Sequence, residues 1–217
     1  MVVLSSQFSF ADRCLAAADL ALRTVLAPAH SQRAAPTAQE SAAGAVLSEA
    51  EKKQVVALMR VDHAGEICAQ ALYSGQALAT QDAALQAHLA RAGQEEVDHL
   101  AWTEQRLREL GARPSVLNAF WYAGAFAIGF GAAKLGDDWS LGFVAETEAQ
   151  VGAHLQGHLD ALPVHDARSR AILAQMQAEE VAHRDEALAR GARELPEPIK
   201  LGMRWAAKVM TATAARI

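Results

Sequence analysis

No proline occurs in the 77 residues from Thr37 to Arg113. Proline removes a backbone donor and costs about 3 kcal/mol inside a helix, so a stretch this long without one can form unbroken helices. Alanine, the strongest helix former, supplies 50 of the 217 residues. The six prolines, at 28, 36, 114, 163, 196 and 198, instead read as punctuation between segments. The β-branched, turn-rich pattern of a sandwich or barrel is scarce, and no run of alternating residues reads as a strand. The chain is therefore expected to be all-α. Its length favours one domain with appendages: 1–47 as an N-terminal helix and linker, and 48–217 as the domain that carries the chemistry.

Local signals place the helices. Residues 8–26 read as an amphipathic helix and 27–47, with Pro28, Pro36 and Gly44, as a linker. Ser48 with Glu51 supplies a capping box that opens a helix to about Ala79. Asp82 caps a second long helix that stops at Gly111, and Ser115 is expected to cap a third segment. Further helices are expected over 138–162, 166–190 ending at Gly191, and 199–215 after Pro198.

The two long hairpins, 48–111 and 138–191, carry the same spacing. Glu66 is followed by Glu96 and His99, and Glu148 by Glu180 and His183. The midpoint of 66 and 96 is 81, and that of 148 and 180 is 164; both fall in the turns. Residues equidistant from the turn of an antiparallel hairpin sit at equal height, here roughly 22 Å from it. Glu and His at i and i+3 share a face. Docking the hairpins thus brings four glutamates and two histidines to one level of a four-helix bundle. Unpaired carboxylates are costly there, and two bridged divalent cations remove the objection. One Glu from each of two helices plus Glu-x-x-His from the other two is the pattern of ferritin-like di-iron and di-manganese bundles. Carboxylate with imidazole suits iron or manganese better than magnesium or a thiolate zinc site. Glu146 competes with Glu148, because its midpoint with Glu180 also falls in the turn.

Other residues around this layer have secondary readings. Glu95 and Glu179 point about 100° away from the ligand face and read as surface charges. Asp62, one turn before Glu66, is placed to orient a ligand histidine through its ring N–H. His63 reads as a core or supporting histidine with a ligand role as the alternative, and His154 as a supporting or pocket group. His30, His88, His158 and His165 read as ordinary surface or capping histidines.

Residues 116–133 contain no charge. Eighteen residues span only about 27 Å, at the low edge for crossing a bilayer. Phe120, Trp121, Tyr122, Phe126 and Phe130 among small residues also suit a helix on a membrane surface or along a substrate channel, or a buried interface. In the last helix, Lys200, Arg204 and Lys208 form a basic stripe beside Trp205, which fits attachment to anionic headgroups. The remaining reading is an ordinary solvated face.

A net charge of −5 argues against nucleic acid as a partner. Cys14 and Cys68 read as buried reduced thiols in a reducing compartment, and neither a secretory leader nor a transit peptide is expected. No G-x-G-x-x-G follows a strand, so electrons are expected from an external donor.

The stretches 61–66 (VDHAGE), 96–99 (EVDH), 144–148 (VAETE) and 180–185 (EVAHRD) resemble the di-iron demethoxyubiquinone hydroxylases of ubiquinone biosynthesis. That resemblance covers about 48–217 and, more weakly, the helix at 11–26. It implies a ferritin-like four-helix bundle with two iron ions per chain held by Glu66, Glu96, His99, Glu148, Glu180 and His183. Glu96, Glu148 and Glu180 are the bridging candidates. One hydrophobic helix and one basic C-terminal helix are additional to the bundle. It further implies an O₂-dependent monooxygenase that hydroxylates a polyprenyl quinol ring, with the second oxygen atom leaving as water. The place of work is the cytoplasmic side of the cell membrane, peripherally attached, as a homo-oligomer or within a biosynthetic complex. A ferritin-like iron-oxidising protein and a ferritin-like hydroxylase of another substrate are the alternatives. Where other members carry two adjacent glutamates in the third motif, Glu148 is followed by Ala149.

Overall fold

A computed structural model describes residues 9–37 and 46–217, and the remainder of the expected linker, 38–45, lies outside them. Seven helices and no strand are found among the described residues: α1 (Phe10–Leu26), α2 (Glu49–Ala79), α3 (Ala83–Glu109), α4 (Asn118–Lys134), α5 (Asp137–Ala161), α6 (Ala167–Ala189) and α7 (Glu197–Ala214). The all-helical architecture expected from composition is the one observed.

Capping chemistry sets the boundaries. Ser48 Oγ accepts from the Glu51 N–H while the Glu51 carboxylate accepts from the Ser48 N–H, so two orphan donors of α2 are satisfied reciprocally. Asp82 accepts from the N–H groups of Ala84 and Leu85. Gly111 takes a φ of 70°, which closes α3 with the Ala112 N–H on the Leu107 carbonyl. Two expectations shift. Ser115 does not cap α4; three residues before the helix begins, it accepts from the Leu117 N–H. The last helix starts at Glu197 and takes Pro198 into its first turn, where a missing N–H costs nothing.

Helices α2, α3, α5 and α6 form the bundle, with the two hairpin turns at opposite ends. One end of the core joins Val55 and Met59 of α2 to Leu107, Leu155, Ile172 and Met176. The other joins Tyr73, Leu85, Leu89, Leu141, Val144 and Ala187. Between these apolar layers lies the polar level carrying the repeated Glu and His residues.

Helix α4 is the crossover between hairpins and lies along α2. Its contact uses small residues: a Cβ on Gly129 would run into the Leu72 backbone, and one on Gly75 into the Phe126 carbonyl. Gly129→Ala is therefore expected to push α4 off α2 and cost about 1–3 kcal/mol, read as a lowered midpoint in urea. No helix among the described residues is long and apolar enough to cross a membrane. Helix α1 is fastened to the bundle by Arg13, which donates to the carbonyls of Ala77, Leu78 and Thr80 at the end of α2. Thr24 Oγ1 also donates to Gln70 Oε1 at 2.9 Å.

Candidate metal centre

Two groups of potential ligands lie in the polar level, each with its ligand atoms within 4.8 Å of one another. One comprises Glu66, Glu96, His99 and Glu180; the other comprises Glu96, Glu148, Glu180 and His183. Glu96 and Glu180 belong to both, whereas Glu148 belongs to one. Glu146 is elsewhere: its carboxylate accepts from Gln150 and lies 3.9 Å from Lys200 Nζ. Each carboxylate of the two groups is at least 97% buried.

Both histidines turn Nδ1 toward the carboxylates. His99 Nδ1 is 3.1 Å from Glu96, 3.3 Å from Glu180 and 3.5 Å from Glu66. His183 Nδ1 is 3.3 Å from Glu96 and 3.5 Å from Glu180. The opposite ring nitrogens correct the reading of Glu95 and Glu179 as surface charges. His99 Nε2 lies 2.7 Å from Glu179, and His183 Nε2 lies 2.8 Å from Glu95. A rotation of about 100° from the ligand face points each of these glutamates at the facing helix: Glu179 is largely covered by it, whereas Glu95 stays half exposed while its carboxylate meets His183. Each hairpin's extra glutamate thus holds the other hairpin's histidine. The sequence carried this signal: the repeated unit is E-E-x-x-H (95–99 and 179–183), one residue longer than E-x-x-H.

Residues of the expected linker complete the support. Arg33 clasps Glu179 through both terminal nitrogens, at 2.6 and 2.9 Å, and its Nε donates to Asp98. Its guanidinium also lies 4.8 Å from the Trp102 ring centroid. Tyr73 was not singled out by spacing, yet its hydroxyl donates to Glu148.

Electrostatics follow from this packing. Burial pushes the Glu66 and Glu148 carboxyls well above the usual carboxylate range, with neighbouring carboxylates adding to it. Against the same burial, the adjacent imidazoles of His183 and His99 hold Glu96 low. Burial would lower His183, but the glutamates, Glu180 first, push it up to about 12. Several buried atoms in this layer have no hydrogen-bond partner: Glu66 Oε2, Glu96 Oε1, Glu148 Oε2, Glu180 Oε2 and His183 Nδ1. Unpartnered buried polar atoms are costly and rare, and here they converge on the two groups. The donor set fits divalent cations bridged by carboxylates.

The other sequence candidates fall elsewhere. Asp62 orients neither His99 nor His183; its Oδ1 lies 2.7 Å from Nδ1 of His158, which is buried rather than superficial, and His154 packs on His158. His63 sits against Asn118, and burial lowers it to about 4. His88 is also buried, 3.2 Å from Glu186. Both cysteines are free and half-buried, and burial pushes the Cys68 thiol up to about 12. Of the aromatic candidates, Phe120 and Trp205 are exposed, Tyr122 is buried, and Trp121, Phe126 and Phe130 are half-buried. None of the six lines the cavity of about 600 Å³ found between α1, α2 and α3. Leu20, Thr24, Tyr73, Leu89, Gly93 and Val97 are among its walls. Lys200 and Arg204 of the basic stripe are paired with Glu146, Glu194 and Glu197.

Four antiparallel helices around a buried layer of carboxylates and imidazoles define a ferritin-like metal-carboxylate bundle. Residues 53–214 match the model of the family described as ubiquinone biosynthesis protein COQ7. The chain is 56% identical to the 3-demethoxyubiquinol 3-hydroxylase of Chromobacterium violaceum, over 95% of this chain and 99% of that protein. It is 55% identical to the enzymes of the same name from Variovorax paradoxus (95% and 98% covered) and Nitrosospira multiformis (94% and 97%). The chain belongs to the COQ7 family.

Proposed function

We propose that this chain is a di-iron monooxygenase that hydroxylates the ring of a demethoxyubiquinol, as the names of its relatives state for them. The observation that carries the reading is the pair of four-ligand groups sharing Glu96 and Glu180. Glu66 and His99 would complete the shell of one iron, and Glu148 and His183 that of the other. The centre, when loaded, supplies O₂ activation with electrons from an external donor.

The chain's own residues set the geometry. Glu179 and Glu95 accept the Nε2–H of His99 and His183, so that each Nδ1 faces inward, where its lone pair would meet a bound ion once the Nδ1 proton is released. Arg33 holds Glu179 in place. Tyr73 donates to Glu148 and also lines the 600 Å³ cavity, so it stands at the boundary between cavity and metal layer. That volume is in the range of small-molecule sites. The quinol ring enters here on this reading, with its prenyl chain along the apolar wall of α1 and α3. Glu179→Gln, which removes the charge and replaces one accepting oxygen with a donor but keeps the shape, is expected to weaken metal affinity about 10–100-fold, measured by competition with a chelator.

Delivery of such a substrate calls for peripheral contact with the cytoplasmic face of a membrane. Leu15, Leu22, Phe120, Leu201, Trp205 and Val209 are all at least half exposed and supply apolar area for it. Trp205→Glu is expected to lower flotation with phosphatidylglycerol vesicles several-fold; unchanged flotation would reject α7 as the attachment surface. The function itself is tested in a bacterium deleted for its own hydroxylase, which accumulates demethoxyubiquinol. This chain should restore ubiquinone and contain iron near two per chain after anaerobic loading. A folded, iron-loaded chain that leaves the quinone profile unchanged would overturn the proposal.

A further inference from the structure

A second group of donors lies outside the carboxylate layer. His154 and His158 are at i and i+4 on α5, one face of the helix, the spacing by which two imidazoles converge on one ion. Asp62 of α2 faces them, and one ligand atom from each of the three lies within 4.8 Å of the others. The imidazole rings are 4.0 Å apart between centroids. Asp62 is 3% exposed, and although its Oδ1 is bonded to His158 Nδ1, its Oδ2 is buried without a partner. His154 Nε2 is likewise buried and unpartnered. Burial, with His158 beside it, lowers His154, which keeps that imidazole neutral and its lone pair free.

From this geometry we propose that Asp62, His154 and His158 form a separate mononuclear site for a divalent transition metal of the Fe²⁺, Co²⁺ and Zn²⁺ class. Two histidines and one carboxylate are a donor set for this class and leave coordination positions open for water. The unpartnered Asp62 oxygen and His154 nitrogen acquire a partner on binding. The His158 Nδ1–H either stays bonded to Asp62, with Nε2 as ligand, or its proton is released as Nδ1 takes the ion. His154 is half-buried, so the site borders solvent, unlike the deeper carboxylate layer. None of its three residues belongs to the two groups around Glu96 and Glu180.

The test is anaerobic titration of the full-length chain with Co²⁺, followed by visible absorption and by metal content after gel filtration. His154→Gln, and separately Asp62→Asn, should each lose one equivalent of Co²⁺ per chain relative to wild type, with unchanged helical circular dichroism. A Glu96→Gln/Glu180→Gln chain, in which the carboxylate groups are disabled, should keep that equivalent and lose it when His154→Gln is added. This last comparison separates failure of the new site from failure of the di-iron reading. Equal Co²⁺ content in wild type, His154→Gln and Asp62→Asn would overturn the proposal and leave Asp62–His158 as a hydrogen bond that joins α2 to α5.

Discussion

Glu180→Ala and Glu96→Ala are each expected to abolish quinol hydroxylation and to empty both halves of the metal layer, while the helical content stays that of the parent. These two carboxylates alone belong to both ligand groups, so removing either leaves two incomplete shells. Glu66→Ala or His183→Ala touches one group and should retain a larger share of bound metal, although turnover is lost as well. The fold survives because the layer is flanked by apolar packing on both sides, around Leu107 and Met176 at one end and Leu89 and Val144 at the other. Without metal, a buried carboxylate is a burden, and its removal relieves desolvation. Iron content and single-turnover hydroxylation of the purified variants check this. Normal activity in either Glu96→Ala or Glu180→Ala would reject the shared-ligand assignment.

Gly93→Phe should separate substrate binding from metal binding. Gly93 lies on α3 in the cavity wall, and a Cβ there meets only Tyr73 Cβ, at 3.7 Å, an ordinary contact. A phenyl ring at this position takes up space in the cavity wall, and Gly93 is itself not one of the six ligands. The expected result is at least a tenfold fall in kcat/KM, about 1.4 kcal/mol of lost transition-state binding, with iron content unchanged. Loss of iron as well would point to a disturbed bundle. Full activity would show that the quinol reaches the centre by another route.

How much could be read before the structure depended on how local each feature is. The capping box at Ser48 and Glu51, the cap at Asp82 and the positive φ at Gly111 depend on a few neighbouring residues, so they were legible. The level shared by Glu66, Glu96, Glu148 and Glu180 was also legible, since it follows from helical rise and turn position. Glu95 and Glu179 were misplaced for the opposite reason. Periodicity gives the angle of a side chain about its own helix and says nothing of which neighbour stands there. In this chain the facing hairpin's histidine stands in each of those directions. Asp62 shows the same limit, being turned to His158 of α5 rather than to a ligand of the metal layer.

By itself, then, the sequence determined the helices, most of their ends and the height at which four glutamates and two histidines meet. These quantities come from backbone propensity and a fixed rise per residue, which no distant contact alters. Only the tertiary structure decided that Glu96 and Glu180 are common to both groups and that each histidine is held by the opposite hairpin. It also decided that Arg33 reaches from the linker to Glu179, and that the cavity lies under α1 rather than along the aromatic residues of α4. Those outcomes depend on the rotation of each helix against its neighbours. That rotation is set by close approaches such as Gly129 on Leu72, between residues far apart in the chain.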